Sequence, residues 1–325
     1  MPNKMKSKTI LVTGGTGSFG NKFVSMSLKK FKKIIIFSRD ELKQYEMEKK
    51  FDLKKNKNLR FFLGDIRDKD RLRFAFRDVD IVLHAAALKQ VPRAEYNPIE
   101  YIKTNVLGAQ NIIEASLETK VSKVIALSTD KAVSPINLYG ATKLCSDKLF
   151  LAANNIKGSS NKIFSVLRYG NVTMSRGSVI PFFLKNKSNI YPVTDSKMTR
   201  FCITLEESVN ASHYVINNAE GGEVFIPKVP SYKILDLVRA INKNAKIKIT
   251  GVRPGEKLFE ELISNNDNNS VLDSAGFYII KNNIKKLNKN YKVMPKNFSY
   301  TSDNNPYFYS INQLKKIIFK TKQDE

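Results

Sequence analysis

The sequence predicts an α/β fold built on a doubly wound parallel sheet, followed by a smaller C-terminal region. Over the first 170 of 325 residues, apolar runs of strand length alternate with stretches of helix length. These runs are apolar on both faces, which is typical of parallel strands that helices cover on two sides. A composition with 42% hydrophobic and 26% charged residues is that of a globular protein with a sizeable core.

Six strands and four intervening helices are predicted in this first part. The strands are Thr9–Thr13, Lys33–Phe37, Leu59–Leu63, Asp80–Leu83, Lys123–Leu127 and Phe164–Leu167. The helices are Ser18–Lys30, Glu41–Lys50, Pro98–Glu118 and Tyr139–Asn154. Such an alternation of strand and helix indicates a doubly wound sheet.

The rhythm changes after Arg168, where prolines separate shorter elements. Two helices remain recognisable there, Leu205–Asn217 and Lys233–Asn244. We therefore predict a first domain over residues 1–170 and a second region over 171–325, with segments of the second region returning to the sheet.

A formal net charge of +25 raises the question of an anionic partner. The excess is spread over both ends of the chain among Lys/Asn-rich stretches, which favours a solvated basic surface over nucleic-acid binding. Two cysteines and two histidines are too few for a disulfide framework or a metal site. No apolar run is long enough to span a membrane, and no leader pattern is visible. We expect a cytoplasmic protein that binds neither nucleic acid nor membrane.

A glycine-rich turn directly follows the first predicted strand and precedes a helix. Glycine at every third position permits a tight turn, close approach of a pyrophosphate and close packing of helix on strand. The helix N-terminus then offers free N–H groups to the phosphates. The turn predicts dinucleotide binding, which makes residues 1–170 a Rossmann domain. Its predicted binding residues are Gly14, Thr16, Gly17, Ser18, Phe19 and Gly20.

The tip of the second strand predicts NADP in preference to NAD. A carboxylate is expected there when NAD is bound, whereas this chain has Ser38 and Arg39, which suit a 2′-phosphate. Asp40 follows one residue late, and either contacts the cofactor or caps the next helix. NAD remains the alternative.

Two further strand ends are candidates for cofactor contact. Asp65 and Ile66 fit an adenine contact after the third strand, while Ala85 and Ala86 allow close passage of the cofactor after the fourth. His84 is interpreted as a packed residue at the strand end, with a catalytic role as the alternative.

A tyrosine and a lysine then open a helix after the fifth strand. Tyr139 and Lys143 are four residues apart and so lie on one helical face. A free tyrosine, with a pKa of about 10, is a poor base, but a nearby ammonium stabilises its phenolate. The hydroxyl of Thr129 is predicted to orient a substrate hydroxyl beside this pair.

With these motifs the sequence resembles the extended short-chain dehydrogenase/reductase family, and within it the inverting UDP-N-acetylglucosamine 4,6-dehydratases of pseudaminic acid and capsule pathways. The resemblance covers nearly the whole chain. It is carried by Thr13–Gly20, Ser38–Gln44, Ala85–Val91, Glu95–Pro98, Ser128–Lys131, Leu138–Lys143, Arg168–Val172, Ser175–Pro181, Met198–Phe201, Arg253–Leu258 and Tyr300–Pro306. It implies a redox-neutral reaction with NADP, in which C4 is oxidised, water is eliminated across C5 and C6, and the hydride returns to C6.

The pair Asp130–Lys131 distinguishes a dehydratase from an epimerase of the same family. Dehydration needs an acid and a base in addition to the tyrosine. By resemblance, Asp130 protonates the leaving C6 hydroxyl and Lys131 removes the C5 proton. Lys131 must be neutral for that task, and burial or the neighbouring Lys89 is expected to lower its pKa. A 4-epimerase and a dehydratase that retains the C5 configuration stay open as alternatives.

The resemblance also implies the remaining contacts and a homo-oligomer, either a dimer or a hexamer. Lys43 and Lys89 complete the cofactor site. The nucleotide-sugar substrate, UDP-N-acetylglucosamine, is expected to contact Lys89, Asn171, Ser178, Val179, Thr194, Arg200, Arg253 and Glu256. Arginine suits a diphosphate because its guanidinium donates two parallel hydrogen bonds.

Overall fold

A computed structural model describes residues 5–175, 177–265, 270–281 and 291–323. Its strands are β1 Thr9–Thr13, β2 Lys33–Ser38, β3 Leu59–Leu63, β4 Ile81–His84, β5 Lys123–Thr129, β6 Ile163–Tyr169, β7 Asn171–Val172, β8 Ile190–Val193, β9 Thr199–Ile203, β10 Glu223–Pro227, β11 Ser231–Lys233, β12 Lys246–Ile249, β13 Glu261–Ile263, β14 Ser270–Ser274, β15 Phe277–Lys281, β16 Lys292–Val293 and β17 Tyr300–Thr301.

Its helices are α1 Ser18–Ser27, α2 Glu41–Phe51, α3 Lys69–Ala75, α4 Val91–Tyr96, α5 Pro98–Tyr101, α6 Gly108–Leu117, α7 Leu138–Ile156, α8 Val179–Leu184, α9 Leu205–Asn218, α10 Ile234–Ile241 and α11 Ile311–Gln323. A π-helical turn, Ile102–Leu107, joins α5 to α6, and a short 3-10 turn, Asp130–Ala132, follows β5.

The main sheet has the strand order β16-β14-β15-β10-β6-β5-β4-β1-β2-β3. The seven strands from β10 to β3 are parallel, and β15, β14 and β16 extend this sheet with antiparallel pairings. The order 3-2-1-4-5-6 is that of a Rossmann fold. The predicted doubly wound α/β fold is therefore confirmed.

The register of the strands sets the position of the site. Thr13 pairs with His84 across β1 and β4, and Thr129 pairs with Tyr169 across β5 and β6. The carboxyl ends of these strands consequently meet at one edge of the sheet, where ligands bind in open α/β folds. β5 and β6 run two residues beyond their predicted ends, so that Thr129 is still part of the strand.

The single helix predicted over Pro98–Glu118 is interrupted. Residues 102–107 form the π-helical turn, in which Asn105 is buried. The side chain of Asn105 accepts a hydrogen bond from Leu88 N at 2.9 Å and donates to Leu88 O at 2.9 Å. A wider turn thus directs a polar side chain towards a loop of the site, as π-helical turns often do. The expectation of one regular helix was wrong at this point.

Residues after 171 contribute to two hydrophobic clusters. The strands β10, β14 and β15 pack into the large cluster around the main sheet. A smaller cluster includes Phe183, Tyr191, Tyr232 and Leu237, and is formed by residues of α8, β8, β9, β11 and α10 among others. The boundary at residue 170 remains a prediction. Among the described residues, no helix combines the length and apolar character needed to cross a bilayer.

Candidate active site

One cavity of about 1400 Å³ lies at the carboxyl edge of the parallel strands. It extends from the turn after β1 to the segment before β13. All the binding and catalytic residues predicted from sequence line this cavity, apart from Gly20 and Asp130. Its volume exceeds the range of about 300–1000 Å³ that a single small ligand commonly occupies, so a cofactor and a substrate fit together.

The turn after β1 forms one end of the cavity. Gly14 has a φ of +65°, a backbone conformation that glycine adopts readily. The N–H of Gly17 donates to Gly14 O at 3.1 Å, and Gly17 is the N-cap of α1. Gly20 does not line the cavity. A Cβ there would lie 1.9 Å from Gly15 O, so glycine allows close packing of α1 on the turn. A direct contact of Gly20 with the cofactor stays a prediction.

At the tip of β2, hydroxyl groups are buried and charged side chains are partly exposed to solvent. Ser38 is buried and forms a 2.9 Å hydrogen bond with Thr16 between their hydroxyl oxygens. Arg39 is half exposed, and its Nη1 lies 3.6 Å from Asp65 Oδ2. Arg67 also pairs with this carboxylate, and the two arginines help to lower the pKa of Asp65, although burial works in the opposite direction.

Asp40 caps α2, as one of the two sequence interpretations had it. Its Oδ1 accepts a hydrogen bond from Lys43 N at 3.0 Å, and its Oδ2 pairs with the Lys43 ammonium. The hydrogen bond from Lys43 is the main reason that the pKa of Asp40 is lowered. Both residues still line the cavity, so this end presents Arg39 and Lys43 as cations.

The segment after β4 forms the floor between the two ends of the cavity. His84 is 1% exposed, and its Nδ1 lies 2.8 Å from Thr13 Oγ1, so its interpretation as a packed residue is confirmed. Ala85, Ala86 and Lys89 follow along the cavity wall. Burial lowers the pKa of Lys89. Asn105, which fixes the backbone of this segment, was missed from sequence; a polar residue within an apolar helix was the available signal.

Tyr139 begins α7 in direct contact with the 3-10 turn after β5. Asn137 is the N-cap of α7, and its Oδ1 accepts a hydrogen bond from Gly140 N at 2.8 Å. A Cβ on Gly140 would lie 2.2 Å from Lys131 O, so glycine allows the helix to approach that turn. This close approach places Tyr139 beside Thr129 and Lys131.

Burial raises the pKa of Tyr139 to about 12, against the opposing effects of the Lys131 charge and the Thr129 hydroxyl. The sequence predicted that Lys143 would stabilise the phenolate. In the structure, Lys143 is 4% exposed and its Nζ donates to Leu127 O at 2.9 Å. Desolvation lowers the pKa of Lys143. The charge of Lys131 favours the phenolate of Tyr139, and the stabilisation of the phenolate by Lys143 stays a prediction.

Asp130 lies behind the cavity wall and is completely buried. Its Oδ1 accepts hydrogen bonds from Thr129 Oγ1 and from Lys131 Nζ, both at 2.9 Å. Its Oδ2 has no hydrogen-bond partner among the described residues. These two hydrogen bonds connect the Asp130 carboxylate to residues that line the cavity.

The pKa of Lys131 is shifted in the direction opposite to the one expected from the sequence. Burial favours the neutral amine, but the carboxylates of Asp130 and Glu260 outweigh it and raise the pKa of Lys131. Lys89 does not contribute, contrary to the sequence expectation. The ammonium is the stable form of Lys131 in this structure.

Glu260 is the residue that sequence reasoning missed. Its Oε1 lies 3.2 Å from Lys131 Nζ and 3.6 Å from Arg200 Nε. It is 3% exposed and lines the cavity. The segment of resemblance Arg253–Leu258 ends two residues earlier, and a Glu-Glu pair after apolar residues gave only a weak signal.

Arg200 is largely committed to the protein itself. Its Nη1 donates to Thr199 O at 2.6 Å and to Leu258 O at 3.1 Å, and its Nη2 donates to Lys257 O at 2.9 Å. It therefore holds the segment that carries Glu260. The expected pairing with a diphosphate is better suited to Arg253, whose side chain is 72% exposed and pairs with Glu256 at 3.2 Å.

The remaining predicted substrate residues also line the cavity. Asn171 accepts a hydrogen bond from Lys131 Nζ at 3.3 Å through its Oδ1. Ser178 is the N-cap of α8, and its hydroxyl is buried with no hydrogen-bond partner among the described residues. Val179 and Thr194 line the cavity as well. The cavity thus joins a phosphate-binding turn to a cluster of proton donors and acceptors.

Comparisons with known proteins agree with this geometry. A family model described as "Polysaccharide biosynthesis protein" matches residues 10–282. The "UDP-N-acetylglucosamine 4,6-dehydratase (inverting)" of Campylobacter jejuni is 52% identical, over 97% of this chain and 98% of its own length. The "UDP-glucose 4-epimerase" of Rickettsia prowazekii is 43% identical, over 86% of this chain and 85% of its own length.

Among solved structures, Pen from Bacillus thuringiensis superposes with a TM-score of 0.90 at 37% identity, covering 98% of this chain and 99% of that one. The resemblance to the inverting dehydratases is confirmed by these matches. The chain belongs to the polysaccharide biosynthesis protein family.

Proposed function

We propose that the protein is a C5-inverting UDP-N-acetylglucosamine 4,6-dehydratase, which forms UDP-2-acetamido-2,6-dideoxy-β-L-arabino-hex-4-ulose. The observation that carries the proposal is the grouping of Asp130 with Lys131 and Tyr139, which line the cavity. We call this part of the cavity the sugar end, and the part at Gly14–Phe19 the cofactor end. The group at the sugar end contains the additional acid and base that elimination of water requires. The identity to the Campylobacter jejuni dehydratase supports the same activity.

We propose NADP as the cofactor. The turn at Gly14–Phe19 and the N-terminus of α1 suit a pyrophosphate, and Arg39 with Lys43 suits a 2′-phosphate. When bound, the nicotinamide would supply the hydride acceptor for C4 and the hydride for C6. Residues of this chain carry out the proton transfers.

Tyr139 removes the proton of the C4 hydroxyl, which Thr129 orients. In the structure the phenol is the stable form, because burial raises the pKa of Tyr139 to about 12. The positive charge of Lys131 favours the phenolate. Lys143 is on the same face of α7 and lines the cavity, where it would hold the cofactor.

Lys131 and Asp130 carry out the elimination. Once C4 is a ketone, the C5 proton becomes acidic, and the Lys131 amine removes it. Asp130 then supplies a proton to the C6 hydroxyl, which leaves as water. The 2.9 Å hydrogen bond from Lys131 Nζ to Asp130 Oδ1 gives a direct path between these two groups.

The nucleotide end of the substrate is assigned to the cavity-lining residues Arg253, Glu256 and Ser178. Arg253 is exposed enough to donate to a diphosphate, and Glu256 is positioned to accept from a ribose hydroxyl. The buried hydroxyl of Ser178 is available for a phosphate oxygen. Arg200 contributes indirectly, since it holds the segment 257–260 in place.

A 4-epimerase is the second candidate, because the Rickettsia prowazekii relative carries that name. An epimerase leaves the substrate mass unchanged, whereas a dehydratase removes one water. Incubation with UDP-N-acetylglucosamine followed by mass spectrometry separates the two. An isomer of unchanged mass as the first product contradicts the dehydratase proposal.

Inversion is tested by running the reaction in heavy water. Inversion requires that the C5 proton leave from one face and that a new proton arrive on the other. The product should carry deuterium at C5 with L-arabino configuration, while the hydrogen from C4 appears at C6 of the same molecule. NMR of the fresh product measures both positions, and a D-xylo product formed first contradicts inversion while leaving dehydration intact.

We also propose a cytoplasmic homo-oligomer, a dimer or a dimer-based hexamer, that serves the synthesis of surface glycans or of flagellin glycans such as those built on pseudaminic acid. The family description as a polysaccharide biosynthesis protein supports this setting. Light scattering on the purified protein measures the oligomer, and a monomer at working concentration contradicts it.

A further inference from the structure

The ammonium of Lys131 is fully occupied by three oxygen atoms. Its Nζ lies 2.9 Å from Asp130 Oδ1, 3.2 Å from Glu260 Oε1 and 3.3 Å from Asn171 Oδ1. An ammonium has three N–H donors and no acceptor. Lys131 in this arrangement has neither a lone pair for a C5 proton nor a free donor. The site must therefore remove one proton from Lys131 before it can act as a base.

Two carboxylates contact Lys131, and they differ in their other contacts. Asp130 Oδ1 also accepts from Thr129 Oγ1 at 2.9 Å, and Asp130 lies behind the cavity wall. Glu260 lines the cavity, and its Oε1 contacts the cations of Lys131 and Arg200. Each carboxyl group has one buried oxygen, Asp130 Oδ2 or Glu260 Oε2, without a hydrogen-bond partner among the described residues. What distinguishes the two is the Thr129 hydroxyl, which donates to Asp130 and stabilises its ionised form.

We propose that Glu260 is the proton acceptor that converts Lys131 into the C5 base. The inference rests on the proposed dehydratase function and assigns a residue to it. In the active form, Glu260 is a neutral carboxylic acid beside a neutral Lys131 amine, and Asp130 remains a carboxylate.

The proton balance of the elimination then closes within the site. First, one proton passes from Lys131 Nζ to Glu260. The amine next takes the C5 proton, and the C5–H electron pair becomes the enolate of the 4-ketone. The new ammonium passes its proton through Asp130 to the C6 hydroxyl, the C6–O bond breaks, and water leaves. Lys131 is again neutral, Asp130 is again a carboxylate, and Glu260 has kept its proton.

The surroundings support this assignment. Burial raises the pKa of Glu260, although the charges of Lys131 and Arg200 oppose the shift. Protonation of Glu260 removes one of the two carboxylates that raise the pKa of Lys131, so the two changes favour each other. The charged and titratable groups facing the pair are Asp130 on the 3-10 turn, Tyr139 on α7, Arg200 on β9 and Tyr232 on β11.

The first test is the pH profile of Glu260→Gln, which keeps the side-chain shape but cannot take the proton. In the wild type the proton stays within the pair, so we expect kcat to vary little between about pH 6 and pH 8. In Glu260→Gln, Lys131 must lose its proton to solvent. We expect kcat near neutrality to fall ~10²–10³-fold and to recover about tenfold per pH unit, with KM changed much less.

Two variants keep this test interpretable. Glu261→Gln removes the adjacent carboxylate, which pairs with Lys257 at 3.5 Å, and should keep the wild-type profile. Glu260→Asp retains a carboxyl group one methylene farther away, and should lower kcat while restoring the flat profile. A substrate deuterated at C5 should show a larger kinetic isotope effect with Glu260→Gln than with the wild type. A flat profile and undiminished kcat for Glu260→Gln would assign the proton to Asp130 and overturn the proposal.

A second measurement does not depend on turnover. Infrared difference spectra of the NADP-loaded protein with and without UDP-N-acetylglucosamine should show the carbonyl stretch of a protonated carboxyl in the wild type and in Glu261→Gln. The band should be absent in Glu260→Gln. If the band behaves in this way but no water is lost from the sugar, the proton assignment stands and the dehydratase proposal fails. A band that persists in Glu260→Gln overturns the assignment.

Discussion

The cofactor end and the sugar end of the cavity are built in different ways. The cofactor end consists mainly of backbone from one contiguous turn, Thr13–Gly20, and of the tips of two neighbouring strands. The sugar end consists of side chains from distant segments, with Lys131 touching Asn171 and Glu260. The first end is specified by local conformation and the second by tertiary packing. We therefore expect the sugar end to depend more strongly on individual charges than the cofactor end.

Substitution of Lys131 should give the largest difference between the two ends. We expect Lys131→Ala to lower the rate of water loss by ~10²–10⁴-fold, since it removes the C5 base. Cofactor binding should stay nearly unchanged, because Lys131 lies at the sugar end. Mass spectrometry measures the product and fluorescence titration measures the cofactor.

Lys148→Ala is the matched control, because Lys148 is exposed on α7 outside the cavity. It should leave both measurements at wild-type values. Near-normal turnover of Lys131→Ala would remove Lys131 from the mechanism, and equal loss of cofactor binding would contradict the separation of the two ends.

The strand between the two ends offers a test through acid stability. Burial, followed by the charge of Lys143, lowers the pKa of His84 to about 3. The unfolded chain therefore takes up a proton below pH ~6.5 that the folded chain refuses. The stability contributed by neutral His84 is complete above that pH and is lost as the pH falls towards 3.

Urea unfolding at several pH values measures this loss. In the wild type, His84 should contribute a slope of about 1.4 kcal/mol per pH unit, or roughly a thirtyfold change in the folding equilibrium over 1.5 pH units. His84→Gln should remove that slope over the whole interval. An equal slope in both proteins would show that His84 is already charged in the fold.

Replacement of Arg39 tests whether a charged side chain at the cofactor end discriminates NADP from NAD. We expect Arg39→Asp to weaken NADP binding at least about tenfold more than NAD binding, because it replaces a donor to the 2′-phosphate by a repelling carboxylate. Arg77→Asp, an equal charge change at an exposed site, should affect both cofactors alike. Parallel losses for NADP and NAD with Arg39→Asp would place that side chain outside the recognition of the phosphate.

The difference between the two ends of the cavity also explains which features could be predicted from the sequence and which could not. The strand ends, the glycine turn and the helical pair Tyr139–Lys143 follow from local periodicity and spacing, and the structure brings their side chains to one cavity. Glu260 could not be distinguished from Glu261 by any local pattern. Burial of the first and not of the second is decided by contact with Lys131, 129 residues earlier in the chain.

Two other expectations depended on tertiary contacts in the same way. The pKa of Lys131 was expected to fall on burial, but the sequence did not show that a second carboxylate, Glu260, lies beside it and helps to reverse the direction. Arg200 was assigned to a diphosphate from the resemblance and the chemistry of arginine, whereas backbone carbonyls of Thr199, Lys257 and Leu258 accept hydrogen bonds from its guanidinium. Residue type and spacing predict which chemistry is present, and packing determines which partner each group meets.

The smallest effect is expected for Lys43, the second cation at the cofactor end. Its ammonium pairs with Asp40 and is 45% exposed, so solvent screens much of its attraction for a phosphate. We expect Lys43→Ala to weaken NADP binding about three- to tenfold, with little effect on NAD, and the difference should shrink as salt is added. Lys49→Ala, on the last turn of the same helix and outside the cavity, is the matched control and should leave binding unchanged. Titration of each protein with both cofactors at low and high salt makes the measurement. A loss as large as that of Arg39→Asp would mean that the ion pair with Asp40 breaks on binding and that Lys43 contributes a direct contact; no loss would leave Arg39 to recognise the phosphate without it.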